Sequence, residues 1–302
     1  MKVLFLGNHT VGVRTLATLR NVVEVVGVVA HPQDPEDGVR YESVFAYAKS
    51  HGLQVIRGAA KNSDVNAFVA GARADLLWVT DYRYLLPMSL VKLSAFGAVN
   101  LHPSLLPKYR GRASINWAIL NGESTLGLTA HYIDEGMDTG DIIEQVSFNL
   151  RQDQDVGDAL RLLYPRYEAV ASRVLGYFRA GKVPRNAQDH SQATSFLRRK
   201  PDDGEIDWRQ NAVNIVNLVR AVAAPYPGAF TKHEGSKLMI WRASVVNAEK
   251  NTSHQPGVVM ARTSSGLVVA CGDGCVLVER IEAADPEQPL SVREGLQFEV
   301  HS

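Results

Sequence analysis

Only two cysteines occur among the 302 residues, Cys271 and Cys275, and they flank Gly272-Asp273-Gly274. So few thiols rule out a disulfide-stapled scaffold. A thiolate metal site would need further Cys or His partners at ligand spacing, and the nine histidines do not supply it, so no metal is expected. Gly-Asp-Gly is turn chemistry and predicts a hairpin between two strands. An excess of one charge is also missing: Lys+Arg and Asp+Glu are both 32. Dedicated polyanion binders usually carry a basic excess, so the whole-chain balance argues against nucleic acid as a partner. Long apolar runs are absent too. The longest, residues 22–30, contains Glu24 and is far too short to span a bilayer, so no membrane partner is expected. Met1 leads straight into a strand-like run at residues 2–7 rather than a signal peptide, which makes the cytoplasm the expected compartment.

What remains is an ordinary globular composition, 45% hydrophobic and 21% charged, with length for about two domains. Apolar runs at 3–7, 23–30, 54–56, 76–80 and 98–101 alternate with helical patterns at 11–20, 42–52, 64–71 and 87–93. That alternation predicts an α/β fold, a mostly parallel sheet covered by helices on both faces. A helix at 114–120, a strand pair at 128–133 and 141–148, and a long helix at 155–180 follow. Residues 182–201 turn polar and irregular, as a linker does, and 208–223 is again helical. Short strands separated by Gly and Asn turns then predict a small barrel or sandwich. The domain division expected is 1–188, a linker at 189–205, and 206–302.

The chemistry concentrates at Asn100-Leu101-His102-Pro103-Ser104-Leu105-Leu106-Pro107. Asn100 and His102 alternate at the end of an apolar run, so both project from one strand edge, where ligands of parallel sheets sit. Asp138 lies in a second Gly-bracketed loop with Asp134, Glu135, Gly136 and Met137 before it. An amide donor, a titratable base and a carboxylate are the parts that acyl transfer needs. Bland readings stand beside these: a hydrogen-bonded strand-end histidine for His102, and turn formers for Asp138 and Asp141. The other histidines read as solvated or core residues. Gly7-Asn8-His9-Thr10-Val11-Gly12 joins the first strand to the first helix and is either a substrate or nucleotide contact or a tight turn. It does not fit the dinucleotide-binding glycine pattern. Lys108-Tyr109-Arg110-Gly111-Arg112 is either an anion-binding segment or a solvated loop.

Together, the run from Asn100 to Arg112 and the loop Asp134–Asp141 resemble the formyl-tetrahydrofolate-dependent formyltransferases. The resemblance is closest to the domain acting on UDP-4-amino-4-deoxy-L-arabinose and to related sugar-nucleotide N-formyltransferases. Ala30-His31-Pro32, Tyr82-Arg83-Tyr84-Leu85-Leu86, Arg198-Arg199-Lys200-Pro201-Asp202-Asp203 and Pro225-Tyr226-Pro227-Gly228-Ala229-Phe230 carry it across nearly the whole chain. It implies a Rossmann-like first domain, a small C-terminal β-barrel (OB-like), and 10-formyl-tetrahydrofolate as formyl donor. It implies that Asn100 steadies the oxyanion, that His102 shuttles the proton, and that Asp138 orients and charges His102. It places the folate along Tyr84, Leu85, Leu86, Arg112, Asp134, Glu135, Gly136 and Met137, and the acceptor near His9, Gly12, Arg83 and Tyr109. The acceptor expected is a nucleotide-linked aminosugar, the product serving lipopolysaccharide or O-antigen synthesis, with a homodimer as a further expectation. Methionyl-tRNA is the alternative acceptor, and the acidic segment 33–42 works against it by repelling phosphates. An amino acid such as hydroxyornithine is a third. A non-catalytic folate or nucleotide binder is opposed by the intact Asn100, His102 and Asp138.

Overall fold

The computed structural model describes residues 1–31, 41–246, 254–285, 287 and 292–300. Most of the segment 33–42, whose acidity entered the choice of acceptor, lies outside them. Five parallel strands form first: β1 (Lys2–Gly7), β2 (Glu24–Ala30), β3 (Val55–Arg57), β4 (Leu76–Thr80) and β5 (Ala98–His102). Their side chains are nearly all apolar, which suits strands buried on both faces by helices. Helices α1 (His9–Arg20), α2 (Val44–Ser50), α3 (Ser63–Ala72) and α4 (Met88–Val91) connect them. A two-residue β6 (Arg110–Gly111) and α5 (Ser114–Leu120) precede β7 (Thr125–Tyr132) and β8 (Ile142–Asn149). The sheet order is β3-β2-β1-β4-β5-β7-β8, with β7 and β8 antiparallel to their neighbours. The order reverses between β1 and β4, and the crevice beyond the strand ends there is where such sheets take ligands.

The long helix α6 (Val156–Arg179) leads to a segment whose polar texture resembles a loose connection. It is docked instead: β9 (Ser195–Phe196) pairs in parallel with β6, and Gln188 is buried. The helix expected from 208 begins later, as α7 (Ala212–Val222), because Asn211 caps it by accepting from the Asn214 N–H. Trp208 is fully buried, its Nε1 donating to Thr231 Oγ1 at 2.9 Å.

The last part is an antiparallel sheet in the order β10-β11-β14-β13-β12. Its strands are β10 (Ala229–His233), β11 (Ser236–Val246), β12 (Val259–Thr263), β13 (Gly266–Ala270) and β14 (Cys275–Ala283). Cys271–Gly274 turns between β13 and β14 as read from sequence, and both cysteines are free thiols. The barrel closes through an irregular segment. Val259 N donates to Leu296 O, Phe298 N to Gly257 O, and Glu299 N to Lys232 O, so residues 296–299 bridge the β12 and β10 edges. Among the described residues no helix is long and apolar enough to cross a membrane, and no His/Cys/Asp/Glu group could hold a metal ion.

Candidate active site

A cavity of about 330 Å³ opens at the carboxyl ends of β1, β4 and β5, and both domains line it. Alternation along β5 brings Asn100 and His102 to the same face. His102 is buried, its Nε2 2.7 Å from the main-chain oxygen of Tyr109, so that nitrogen donates to the carbonyl. Its Nδ1 stands 3.6 Å from Asp138 Oδ2. That separation is electrostatic rather than hydrogen-bonded, and it leaves Nδ1 as the nitrogen able to exchange a proton in the cleft.

Asp138 is the hub. Its Oδ2 accepts from Gly111 N at 2.8 Å, and its Oδ1 from Asn100 Nδ2 at 3.3 Å. Burial on its own would raise the carboxyl's pKa. The facing His102, the hydrogen bond and charge of His131, and the Gly111 N–H outweigh that and hold it well below the usual carboxylate range. The group is therefore an anion throughout the neutral range.

His131 is a site residue that sequence reading left among the core histidines. The antiparallel register of β5 and β7 sets it directly opposite Asn100. Its Nδ1 donates to the Tyr132 carbonyl (2.8 Å), and its Nε2 lies 3.2 Å from Asn100 Nδ2 and 3.4 Å from Asp138 Oδ1. The Asn100 amide nitrogen thus donates to Asp138 Oδ1 and stands beside the His131 ring. Thr129 and His131 alternate on one strand face, a signal visible in sequence, but the pairing with β5 is not.

Backbone conformation points to the same place. His9, Asp81, Ala113 and Asp138 all line the cavity and hold φ of +60°, +54°, +54° and +56°. Left-handed conformations at non-glycine residues cost free energy and cluster at functional sites. His9 Nδ1 is 2.9 Å from Asp81 Oδ2, and its ring lies 3.8 Å from that of Tyr41.

The other expected contacts divide. Arg83, Tyr84, Leu85, Arg112 and Met137 line the cavity with His9. Tyr84, Leu85 and Met137 are exposed apolar side chains on its wall, a feature that marks a binding surface. Leu86 instead packs into the apolar core beside β4. Gly12 is buried in α1, where an added Cβ would meet Val44. Asp134 and Gly136 shape the turn rather than the wall: Asp134 Oδ1 accepts from Thr139 Oγ1 and Gly136 N. Glu135 lies outside the wall as well. Tyr109 turns away, its ring stacked on Phe196 and its hydroxyl donating to Glu123 at 2.9 Å. Sequence reading had not placed Arg198, Arg199, Lys200 and Tyr226 in the site, although all four line the cavity.

A family profile described as Formyl transferase matches residues 1–171, and one described as Formyl transferase, C-terminal domain, matches 198–295. A relative named methionyl-tRNA formyltransferase, from Acetivibrio thermocellus, is 33% identical over 299 residues, 97% of this chain and 95% of that protein. Another of the same name, from Desulfotalea psychrophila, is 33% identical over 287 residues, 93% of this chain and 88% of its own length. An N-formyltransferase from Helicobacter canadensis, solved with folinic acid and dTDP-3-aminofucose, has a TM-score of 0.68 at 18% identity. The match covers 92% of this chain and 99% of that one, and it shows a shared fold.

These findings overturn the expected aminosugar acceptor. The sugar enzyme resembles this chain in fold alone, whereas the sequence relatives are named for methionyl-tRNA. The motif from Asn100 to Arg112 reports the formyl-transfer chemistry, which does not depend on the acceptor. A whole-chain charge sum averages over position: Arg83, Arg112, Arg198, Arg199 and Lys200 gather around one cleft while the net charge is zero.

Proposed function

The chain belongs to the formyl transferase family through both of its domains, and from that premise we propose that it formylates the amine of methionyl-tRNA, with 10-formyl-tetrahydrofolate as donor. The observation that carries this reading is the 33% identity to methionyl-tRNA formyltransferases across 93% or more of the chain. The cationic side chains at the cleft supply a matching electrostatic term, since phosphate contacts dominate nucleic-acid affinity.

The donor supplies the formyl group when bound. Tyr84, Leu85 and Met137 offer the apolar wall that its flat ring system requires, with Arg112 nearby. His102 takes a proton from the attacking amine at Nδ1 and returns it to the departing nitrogen. The Tyr109 carbonyl fixes its tautomer, and the Asp138 carboxylate faces the ring while it holds the proton. Asn100 turns an N–H toward the carbonyl oxygen as charge develops there, at the expense of its bond to Asp138. A carbon–nitrogen bond forms as another breaks, and the proton count balances through His102.

Purified protein incubated with formyl-tetrahydrofolate and charged initiator tRNA should yield N-formylmethionyl-tRNA. His102→Ala should lower that turnover by about 100-fold or more while keeping the native circular dichroism. Transfer to dTDP- or UDP-aminosugars with none to the tRNA would sink the proposal.

A further inference from the structure

Two main-chain groups, two residues apart, set the positions of both His102 and Asp138. The Tyr109 carbonyl accepts from His102 Nε2, and the Gly111 N–H donates to Asp138 Oδ2. The loop that carries them holds Tyr109 in the left-handed region, with φ of +58°, a conformation that costs free energy at a non-glycine residue. Its support comes from the segment that leaves the first domain.

Thr194 meets the loop twice. Its Oγ1 accepts from Tyr109 N at 2.9 Å, and its carbonyl accepts from Arg110 N at 2.8 Å. Phe196 O accepts from Arg112 N at 3.1 Å, and an added Cβ on Gly111 would meet that oxygen at 2.4 Å. The approach therefore needs glycine. From the other side, the buried Gln188 ties the loop to Asp138 itself. Its Nε2 donates to Asp138 O at 2.9 Å and to Gly140 O at 2.7 Å, while its Oε1 accepts from the Arg110 guanidinium at 2.7 Å.

We propose that Gln188 and Thr194 are positioning residues for formyl transfer, which set the placement of His102 against Asp138 through the 109–111 loop. The inference rests on the reading that this pair performs the transfer. A purely structural role would be to fasten the connecting segment, with loss of stability and nothing else. Positioning has a steeper consequence, because a misplacement of about 1 Å at reacting groups costs about 100-fold in rate.

The test uses Gln188→Met, which keeps length and removes the amide, and Thr194→Val, which keeps shape and removes the hydroxyl. Thr194→Ser is the conservative rescue. Steady-state kinetics should show a fall in kcat approaching about 100-fold in Gln188→Met and a smaller one in Thr194→Val, with KM for the acceptor little changed. The imidazole N–H proton of His102, identified by its loss in His102→Gln, should shift in both variants and return in Thr194→Ser. Should Gln188→Met fail to fold, the exposed Thr194 position still decides. Unchanged kcat in the folded variants overturns the proposal. If His102→Gln is inactive in the same assay, only the positioning role has failed; if it is active, the reading of the pair has failed too.

Discussion

His31 follows the last residue of β2, with its ring stacked on Tyr84 and edge-on to Tyr82. Its Nε2 accepts from Arg83 N at 3.0 Å, so the fold holds the neutral ring. Burial, then the neighbouring Arg83, lower its pKa from 6.5 to about 4; Asp81 opposes this, and His9 and Arg112 add to it. Between those values the unfolded chain binds a proton that the folded one refuses. Stability therefore rises with pH across that window and is lost as pH falls from 6.5 toward 4, by up to about 3 kcal/mol. Asp138 acts in a separate range: its depressed carboxyl contributes stability above the ordinary carboxylate pKa, lost only in stronger acid. His31→Gln keeps an acceptor for Arg83 N without a titrating ring. Urea unfolding of this variant should show a flatter pH dependence between 6.5 and 4 than wild type. Equal slopes would show that His31 titrates normally in the fold.

The longest element, α6, begins at a reciprocal cap. Asp155 accepts from Asp158 N at 3.0 Å, and Asp158 accepts from Asp155 N at 3.1 Å. Asp155→Ala should cost about 1 kcal/mol in denaturant unfolding and Asp155→Asn only a few tenths; equal losses would point to charge rather than capping. This helix was legible in the chain because its signals are local, a capping pair ahead of an apolar stripe. The runs of β1 to β5 were legible for a similar reason, each being a short apolar stretch bounded by turn residues. The elements that finish the site announce themselves less. β6 and β9 have two residues each and no apolar pattern, and they exist because distant segments meet. The segment that closes the barrel does alternate apolar and polar residues, Leu296-Gln297-Phe298-Glu299-Val300, but nothing local says which two edges it joins. Asn100 and His102 could be read from alternation, but His131 depends on a register that no local pattern encodes. Tyr109 misled by residue type. Its left-handed backbone turns the ring toward Phe196 and gives the cleft only a carbonyl.

At the scale of the molecule, the two domains share one core. Buried side chains from Val3 to Phe298 form one cluster, which includes α5 and α7 across the domain boundary. Polar contacts reinforce the seam: Asn116 Nδ2 donates to Ala221 O at 2.8 Å, and Arg220 Nε donates to Gln154 O at 2.8 Å. Domains joined only by a tether would melt separately, whereas a continuous core couples their unfolding. Trp208 tests this from the far side. It lies outside the cleft, buried against Phe298 with ring centroids 5.5 Å apart. Truncating such a side chain to alanine costs about 3–5 kcal/mol. Calorimetry of the intact chain should show one transition with matching calorimetric and van't Hoff enthalpies. Trp208→Ala should move that whole transition to lower temperature. A variant that melts in two steps, with the first domain's step unmoved, would mean that the shared core does not couple the halves. Because the cleft takes walls from both, such uncoupling would also leave Arg198 to Lys200 free to drift from His102 before the catalytic sheet itself unfolds.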